Sequence, residues 1–204
     1  MGQGLMTTHD APTPGRIPRA KGHTLFFATP LEPEMAKRAA DLRLDVSRKQ
    51  GLRGTPVEAD RLHVAAFGLL GFRGPPPIYA LELGKQIGSR VEVGEFTCSF
   101  DRLQTWRRKD GHLLVLTSGD GVEGYRRLNR ALQLATCEAL DLEARPQPIT
   151  PHISLMYCDR PVAERPVDPF TWLVQSFTLV HSLVGLSRHD HLQTWHLGKG
   201  PPAV

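Results

Sequence analysis

The sequence predicts an α+β fold with two pseudo-symmetric lobes, each a mainly antiparallel β-sheet with helices on its outer face, and a candidate site in the cleft between the lobes. Three observations support this fold. A strand, helix, strand unit occurs twice, its landmarks keep the same spacing in both copies, and further strand patterns follow the second copy. The copies span about residues 23–70 and 112–159.

The composition indicates one folded domain of ordinary size. Of the 204 residues, 40% are hydrophobic and 23% are charged, which is enough apolar material for one sizeable core. We expect residues 21–198 to form a single two-lobed domain, with a disordered N-terminal segment at 1–20 and a flexible tail at 199–204. Lysine and arginine outnumber aspartate and glutamate by 25 to 21, and the pI of about 9.2 favours polyanionic partners.

Cysteine usage and hydropathy indicate the cellular compartment. The three cysteines are odd in number and none belongs to a Cys-x-x-Cys pair, which favours reduced thiols over a disulfide framework or a structural zinc site. No apolar run is long enough to span a membrane, and residues 1–20 lack the apolar stretch of a secretory signal. We therefore expect a cytoplasmic protein without membrane contact. We also expect it to be a monomer.

The first unit begins with a short apolar strand at 23–28. The following Thr-Pro-Leu-Glu-Pro indicates a turn and a helix start. Within 31–50, four apolar residues recur three or four positions apart, as on one face of a helix: Met35, Ala39, Leu42 and Val46. A second strand follows at 61–67, in which Leu62, Val64 and Ala66 take one face and His63, Ala65 and Phe67 take the other.

Between the units, the sequence predicts a shorter helix around 79–87 and a strand at 96–100. The second unit starts with a β-type run at 112–117, which a turn and helix-start cluster closes. The helix that follows has one long apolar stripe, formed by Tyr125, Leu128, Leu132, Ala135, Ala139 and Leu142.

The second unit ends in a strand at 150–157. Strict alternation puts His152, Ser154 and Met156 on one face of this strand and Ile153, Leu155 and Tyr157 on the other. Two further strand-like runs, at 172–183 and 191–197, would extend a sheet.

The two units align without net insertion. His23 precedes His63 by 40 positions and His112 precedes His152 by 40, so equivalent residues lie 89 apart. A duplicated fold places equivalent residues symmetrically across a central cleft, so we expect His63 and His152 to face one substrate. We interpret His23 and His112 as structural residues near the lobe edges.

Two imidazoles that face one substrate suit the in-line cleavage of a phosphodiester. One deprotonates the attacking water, the other protonates the leaving oxygen on the opposite side, and histidine can do either near neutral pH. Ser154 lies two residues after His152, so its hydroxyl can support a non-bridging phosphate oxygen. The tripeptide His-x-Ser gains weight from its place in the repeat, because about one such match is expected by chance.

Four segments resemble the two-histidine phosphoesterase superfamily, in particular the bacterial 2′-5′ RNA ligases or RNA 2′,3′-cyclic phosphodiesterases. They are RLHVAAFGLLGF (61–72), ITPHISLMY (149–157), FTLVHS (177–182) and TWHL (194–197), and the resemblance covers roughly residues 23–198. It implies a two-lobed α+β fold without metal or other cofactor. It also implies that a 2′,3′-cyclic phosphate, at an RNA 3′ end or in a small cyclic nucleotide, is opened to a 2′-phosphomonoester. His63 would then protonate the leaving O3′, and His152 would activate water.

The sequence departs from this family in one place. The family has two His-x-[Ser/Thr] motifs, whereas the first motif here is His63-Val64-Ala65 and lacks the hydroxyl. Loss of one such donor can cost about 10²–10³ in turnover. Either the protein is a slower or differently specialised phosphodiesterase, or Arg61 or a backbone N–H supplies the missing donor. The candidate contacts to phosphate and base are Arg73, Tyr157 and Arg160.

Two other functions remain compatible with the sequence: a basic RNA-binding module with a decayed active site, and a reversible 2′-5′ RNA ligase. The run His189-Asp190-His191 does not predict a metal site, because neighbours on an extended chain point apart. The aromatic and basic run from Trp106 to Lys109 suits either a nucleic-acid contact or a solvated loop between strands.

Overall fold

The computed structural model describes residues 22–143 and 147–198. The segments expected to be disordered or flexible, 1–20 and 199–204, lie outside the described residues. The described chain forms three helices, α1 (Pro33–Gln50), α2 (Ile78–Ser89) and α3 (Glu123–Ala139). Its strands are β1 (His23–Pro30), β2 (Gly54–Pro56), β3 (His63–Phe72), β4 (Phe96–Arg108), β5 (Gly111–Thr117), β6 (Ile153–Cys158), β7 (Arg165–Val174), β8 (Ser176–Leu183) and β9 (Arg188–His196).

The bounds of α1 follow from residues at its two ends. Pro33 occupies the first turn, where a helix needs no backbone donor. Gly51 ends the helix in the left-handed conformation, with φ of 62°, and its N–H donates to the carbonyl of Ser47. None of the helices in the described part of the chain is long and apolar enough to cross a membrane.

The strands form a single antiparallel sheet in the order β7-β4-β5-β6-β3-β1-β8-β9, with β2 also paired to β6. The predicted α+β class is confirmed. Two separate lobe sheets are not confirmed, because β3 and β6 are hydrogen-bonded neighbours. They share one residue pair, Val64 with Ile153, and this pair joins a half built on β3-β1-β8-β9 to a half built on β6-β5-β4-β7.

The helices cover one face of the sheet. Val64, Ile153 and Leu25 point into the main core beneath them. Helix α1 contacts β6 and α3 contacts β3, so the helix of each repeat unit packs on the histidine-bearing strand of the other. On the opposite face, which we call the open face, Phe26, Ala28 and Val180 form a separate small cluster.

Several predicted elements differ from the structure. The helix whose apolar stripe was predicted to reach Leu142 ends at Ala139, and the strand predicted at 150–157 begins at Ile153, so His152 immediately precedes it. The run at 172–183 is divided at Gln175 into β7 and β8, which lie at distant positions in the sheet. The strand predicted at 96–100 continues to Arg108, so Trp106 lies in β4 and not in a loop. The long pairing of β4 with β5, which reaches Arg108 and Gly111, keeps this segment extended.

Candidate active site

The sheet brings His63 and His152 to one place on the open face. Each residue immediately precedes a member of the Val64–Ile153 pair, whose side chains are buried on the helix side. Side chains that flank a pair on adjacent antiparallel strands share a face, and diagonal neighbours lie roughly 7–8 Å apart. Both imidazoles are half-buried.

The two imidazoles are held in the same way. The Nδ1 atom of His63 lies 2.7 Å from the carbonyl oxygen of Arg61, and that of His152 lies 2.8 Å from the carbonyl oxygen of Thr150. A carbonyl oxygen only accepts, so Nδ1 carries the proton and donates in both residues. The Nε2 atom of each neutral ring is therefore the basic nitrogen available to a substrate.

Burial lowers the pKa of both histidines. The pKa of His63 falls from 6.5 to about 4, mainly because burial disfavours the charged ring, and the nearby charges of His152 and Arg61 lower it further. The pKa of His152 is also lowered, again mainly by burial, with a contribution from Arg108. Both rings are neutral near pH 7 and can accept a proton there.

Aromatic rings that the sequence did not assign to the site pack on both histidines. The ring of His63 lies 5.2 Å from that of Phe26 and 5.3 Å from that of His189, measured between centroids. The ring of His152 lies 4.4 Å from that of Trp106. Trp106 therefore belongs to the site. The only sequence signal for it was its position among basic residues.

Hydroxyl and guanidinium groups differ between the two halves of the site. Ser154, half-buried, lies on the same face as His152. Ala65 occupies the equivalent position beside His63 and pairs with Ala28 of β1. The guanidinium of Arg61 acts on the pKa values of His63 and His189, and its buried Nε has no hydrogen-bond partner among the described residues.

A β-bulge in β6 overturns the strict alternation predicted for this strand. Ser154 pairs with Val115 but Met156 pairs with the adjacent Leu114, so Leu155 is an extra residue. Met156 is consequently buried at 5% exposure, whereas Tyr157 is 51% exposed. Tyr157 thus turns to the open face that carries Ser154.

Tyr157 borders a pocket of about 400 Å³ at the β4–β5 turn. Its other lining residues are Arg108, Lys109, Asp110 and His112. Tyr157 pairs with Leu113, which pairs in turn with Trp106, so this pocket and His152 are connected by one row of neighbouring side chains. His112, interpreted from the sequence as a structural residue near a lobe edge, is half-buried and lines this pocket.

The structure does not join Arg73 and Arg160 to the histidine pair. Arg73 follows the distal end of β3, on the order of 30 Å along the strand from His63. Arg160 follows β6 and forms an ion pair of 3.6 Å with Asp159. Within the described residues, neither arginine makes a hydrogen bond or ion pair with either histidine.

The segment His189-Asp190-His191 lies in β9 and its neighbours diverge. His189 packs on His63, whereas Asp190 lies 3.8 Å from His181 and 2.7 Å from Arg188. His181 also hydrogen-bonds to His23 at 2.8 Å. Among residues 22–143 and 147–198, no group of three or more histidine, cysteine, aspartate or glutamate side chains is arranged to hold a metal ion.

Two buried polar residues of α3 hold β3 and the segment that precedes His152. Asn129 donates to the carbonyl oxygen of Ala66 in β3 at 2.7 Å. Gln133 donates to the carbonyl of Gln147 at 2.8 Å and accepts from the N–H of the same residue at 2.6 Å. Gln133 and Asn129 are also hydrogen-bonded to each other. This network fixes both β3 and the segment that leads to His152, and no sequence pattern indicated it.

The fold is that of LigT-like phosphoesterases. The structure of apo LigT from E. coli matches this chain with a TM-score of 0.66 at 22% identity, covering 88% of this chain and 100% of LigT. A phosphoesterase matches with a TM-score of 0.64 at 23% identity, covering 87% and 99%. The protein TT0787 of Thermus thermophilus matches with a TM-score of 0.66 at 20% identity, covering 86% and 98%.

These similarities establish the α+β fold that the sequence resemblance implied, without its division into two lobes, and the coverage extends over nearly the whole of each solved chain. Identities of this size show the fold alone. A scan of protein-family models and a search of curated protein sequences found no match.

Proposed function

We propose that this protein is a phosphoesterase that opens 2′,3′-cyclic phosphates to 2′-phosphomonoesters without a metal ion. The observation that supports the proposal is the pair of imidazoles, His63 and His152, which flank one residue pair of adjacent strands and are held by equivalent hydrogen bonds from Nδ1. The shared fold supports it. LigT has been solved with 3′-AMP and with phosphate.

In the proposed reaction, Nε2 of His152 removes a proton from water, and the water oxygen forms a bond to phosphorus. The bond from phosphorus to O3′ breaks on the opposite side, and His63 donates a proton to O3′. Because the pKa of free His63 is about 4, this role requires that the negative charge of the bound phosphate restore its proton. Ser154 and Arg61 would stabilise the non-bridging oxygens.

An RNA 3′ end is the favoured substrate over a small cyclic nucleotide. Trp106 lies against His152, and a row of side chains leads from it to the pocket bordered by Tyr157 and Lys109. Aromatic rings bind single-stranded bases by stacking, and the basic groups suit the backbone phosphates.

We infer a monomeric, cytoplasmic protein; its three cysteines are buried and unpaired.

The test is hydrolysis of a short RNA that ends in a 2′,3′-cyclic phosphate, in the presence of EDTA, with the phosphate position of the product determined. We expect a 2′-phosphate, and His63→Ala or His152→Ala to lower kcat by about 10²–10⁴. His196→Ala, at the exposed end of β9, is the control and should keep wild-type activity. Wild-type activity in either of the first two variants would remove that histidine from the mechanism.

A second candidate function is RNA binding by a decayed site. The observation that favours it is Ala65, which leaves the first half without the hydroxyl that Ser154 supplies in the second. This function predicts salt-sensitive RNA binding without turnover.

Formation of a 2′-5′ linkage from a 2′,3′-cyclic end and a 5′-hydroxyl end in the same assay would identify the reversible ligase instead.

A further inference from the structure

Three aromatic rings form a triangle at His63. The centroids of His63, Phe26 and His189 lie 5.2, 5.3 and 5.6 Å from one another, and the His189 ring meets both of the others edge-on. His189 comes from β9, the edge strand of its half and three strands away from β3. Its ring makes no hydrogen bond with another described residue, so its nitrogens are available to a ligand.

The internal repeat relates this ring to Trp106. In the second half, Trp106 pairs with Leu113, and in the first half the residue 89 positions before Leu113 is Thr24. Thr24 pairs with Ser182, which pairs in turn with His189. The position equivalent to Trp106 is therefore Ser182 on β8, and His189 lies one strand further along the same row, on β9. Each candidate histidine is covered by a ring from this row, but the two rings come from different strand positions. The second half uses an indole, whereas the first half uses an imidazole that can donate and accept protons.

The guanidinium of Arg61 and the neutral rings of His63 and His189 lie close together. Burial, together with the charges of His63, Arg61 and His191, lowers the pKa of His189 to about 4, and Asp190 opposes this only weakly. Asp190 is held by Arg188 and faces His181 on the other side of the strand. Arg61 adds a buried Nε without a partner in the described chain. An anion bound here would satisfy these donors and stabilise their charges.

We propose that His189 is a phosphate-binding residue that replaces the hydroxyl missing at Ala65. A ring N–H of His189 donates to a non-bridging oxygen of the phosphate that lies between His63 and His152. In the second half of the site the hydroxyl of Ser154 donates to the phosphate, and in the first half the ring N–H of His189 on β9 does so. This inference rests on the proposed function for its catalytic consequence, but phosphate binding by His189 can be measured without turnover.

The first experiment measures binding. Inorganic phosphate is titrated into the wild-type protein, and the ring resonances of the histidines are followed by NMR. We expect the signals of His63, His152 and His189 to shift with one common Kd. Shifts at His63 and His152 without a shift at His189 would overturn the role of His189 and leave the proposed function intact. If none of the three shifts, the phosphate site itself is wrong. If all three shift but cyclic phosphate is not hydrolysed, His189 stands and the proposed reaction falls.

The second experiment separates the donor from ring packing. His189→Phe keeps a ring against His63 and Phe26 but has no N–H, and we expect a loss of about 10²-fold in kcat/KM. Ala65→Ser in the His189→Phe background should recover most of this loss, whereas Ala65→Ser alone should change the rate only about threefold. Full activity in His189→Phe, or an equal effect of Ala65→Ser in both backgrounds, would show that the ring only packs. His196→Phe in the same strand is the control.

Discussion

Val64 on β3 and Ile153 on β6 are paired directly across an antiparallel ladder, and each follows a candidate active-site histidine. They lie 89 positions apart, which is the offset of the internal repeat, so the pseudo-twofold relation between the halves passes through this pair. Both side chains are buried against the helices. The outward neighbours of the pair are consequently forced onto the open face, where the two imidazoles face the same space.

The stability of the protein is expected to fall as the pH is lowered from 7 to 5. The pKa values of His63 and His189 are about 4 in the folded protein against an ordinary 6.5, so the unfolded chain binds more protons between these values. Lowering the pH from 7 to 5 therefore favours unfolding, by about 2 kcal/mol for His63, and by less for His189 because water screens its partly buried ring. Urea unfolding at a series of pH values measures the slope. His189→Phe should flatten it, and a wild-type slope in this variant would contradict the prediction.

Substitution of Asn129 should loosen both strands that carry the histidines. Asn129→Leu removes the donor to the Ala66 carbonyl and a partner of Gln133 in a buried environment. We expect a loss of about 1–3 kcal/mol in the free energy of unfolding. Arg130→Ala, at the exposed neighbouring position of α3, is the matched control. Chemical denaturation measures both variants, and equal stabilities would show that the network adds nothing to the fold.

The burial of His152 depends on the indole of Trp106. Trp106→Ala should expose the imidazole to water, and the pKa of His152 should rise toward 6.5, because burial is the main cause of its lowering. Trp106→Phe keeps a smaller ring in place and should raise this pKa less. NMR titration of the ring resonances measures it. An unchanged pKa in Trp106→Ala would assign the desolvation to other neighbours.

Binding of RNA should depend on salt through the pocket beside Tyr157. Lys109→Ala should reduce the slope of log K against log salt by about 0.7 for a single-stranded RNA, as expected for one phosphate contact. Binding of a small cyclic nucleotide should not change, because it does not reach this pocket. The control is Lys37→Ala, an exposed lysine of α1 paired with Asp41. If both lysine variants give the wild-type slope, the pocket does not hold the RNA backbone.

Much of the fold could be predicted because its signals are local. The apolar stripe from Met35 to Val46 lies in α1, and the alternation around His63 holds in β3 as far as Ala65. It is wrong for Phe67, because an extra residue at Ala66 in the ladder with β1 turns Phe67 into the core. The division at Gln175 and the length of β4 could not be predicted, since both depend on which strands become neighbours. The bulge at Leu155 also could not be predicted, because it arises from the pairing of β6 with β5. It places Met156 and Tyr157 on the faces opposite to those that strict alternation predicts.

The sequence by itself determined the repeat, the equivalent positions of His63 and His152 at the start of their strands, and the absence of a hydroxyl at Ala65. Only the tertiary structure decided which side chains surround them. His189 and Trp106 reach the histidines from β9 and β4, across contacts between residues far apart in the chain. The physical reason is that the periodicity of a strand specifies which way a side chain points, whereas its neighbours depend on strand order, register and bulges, which arise from the packing of the whole sheet.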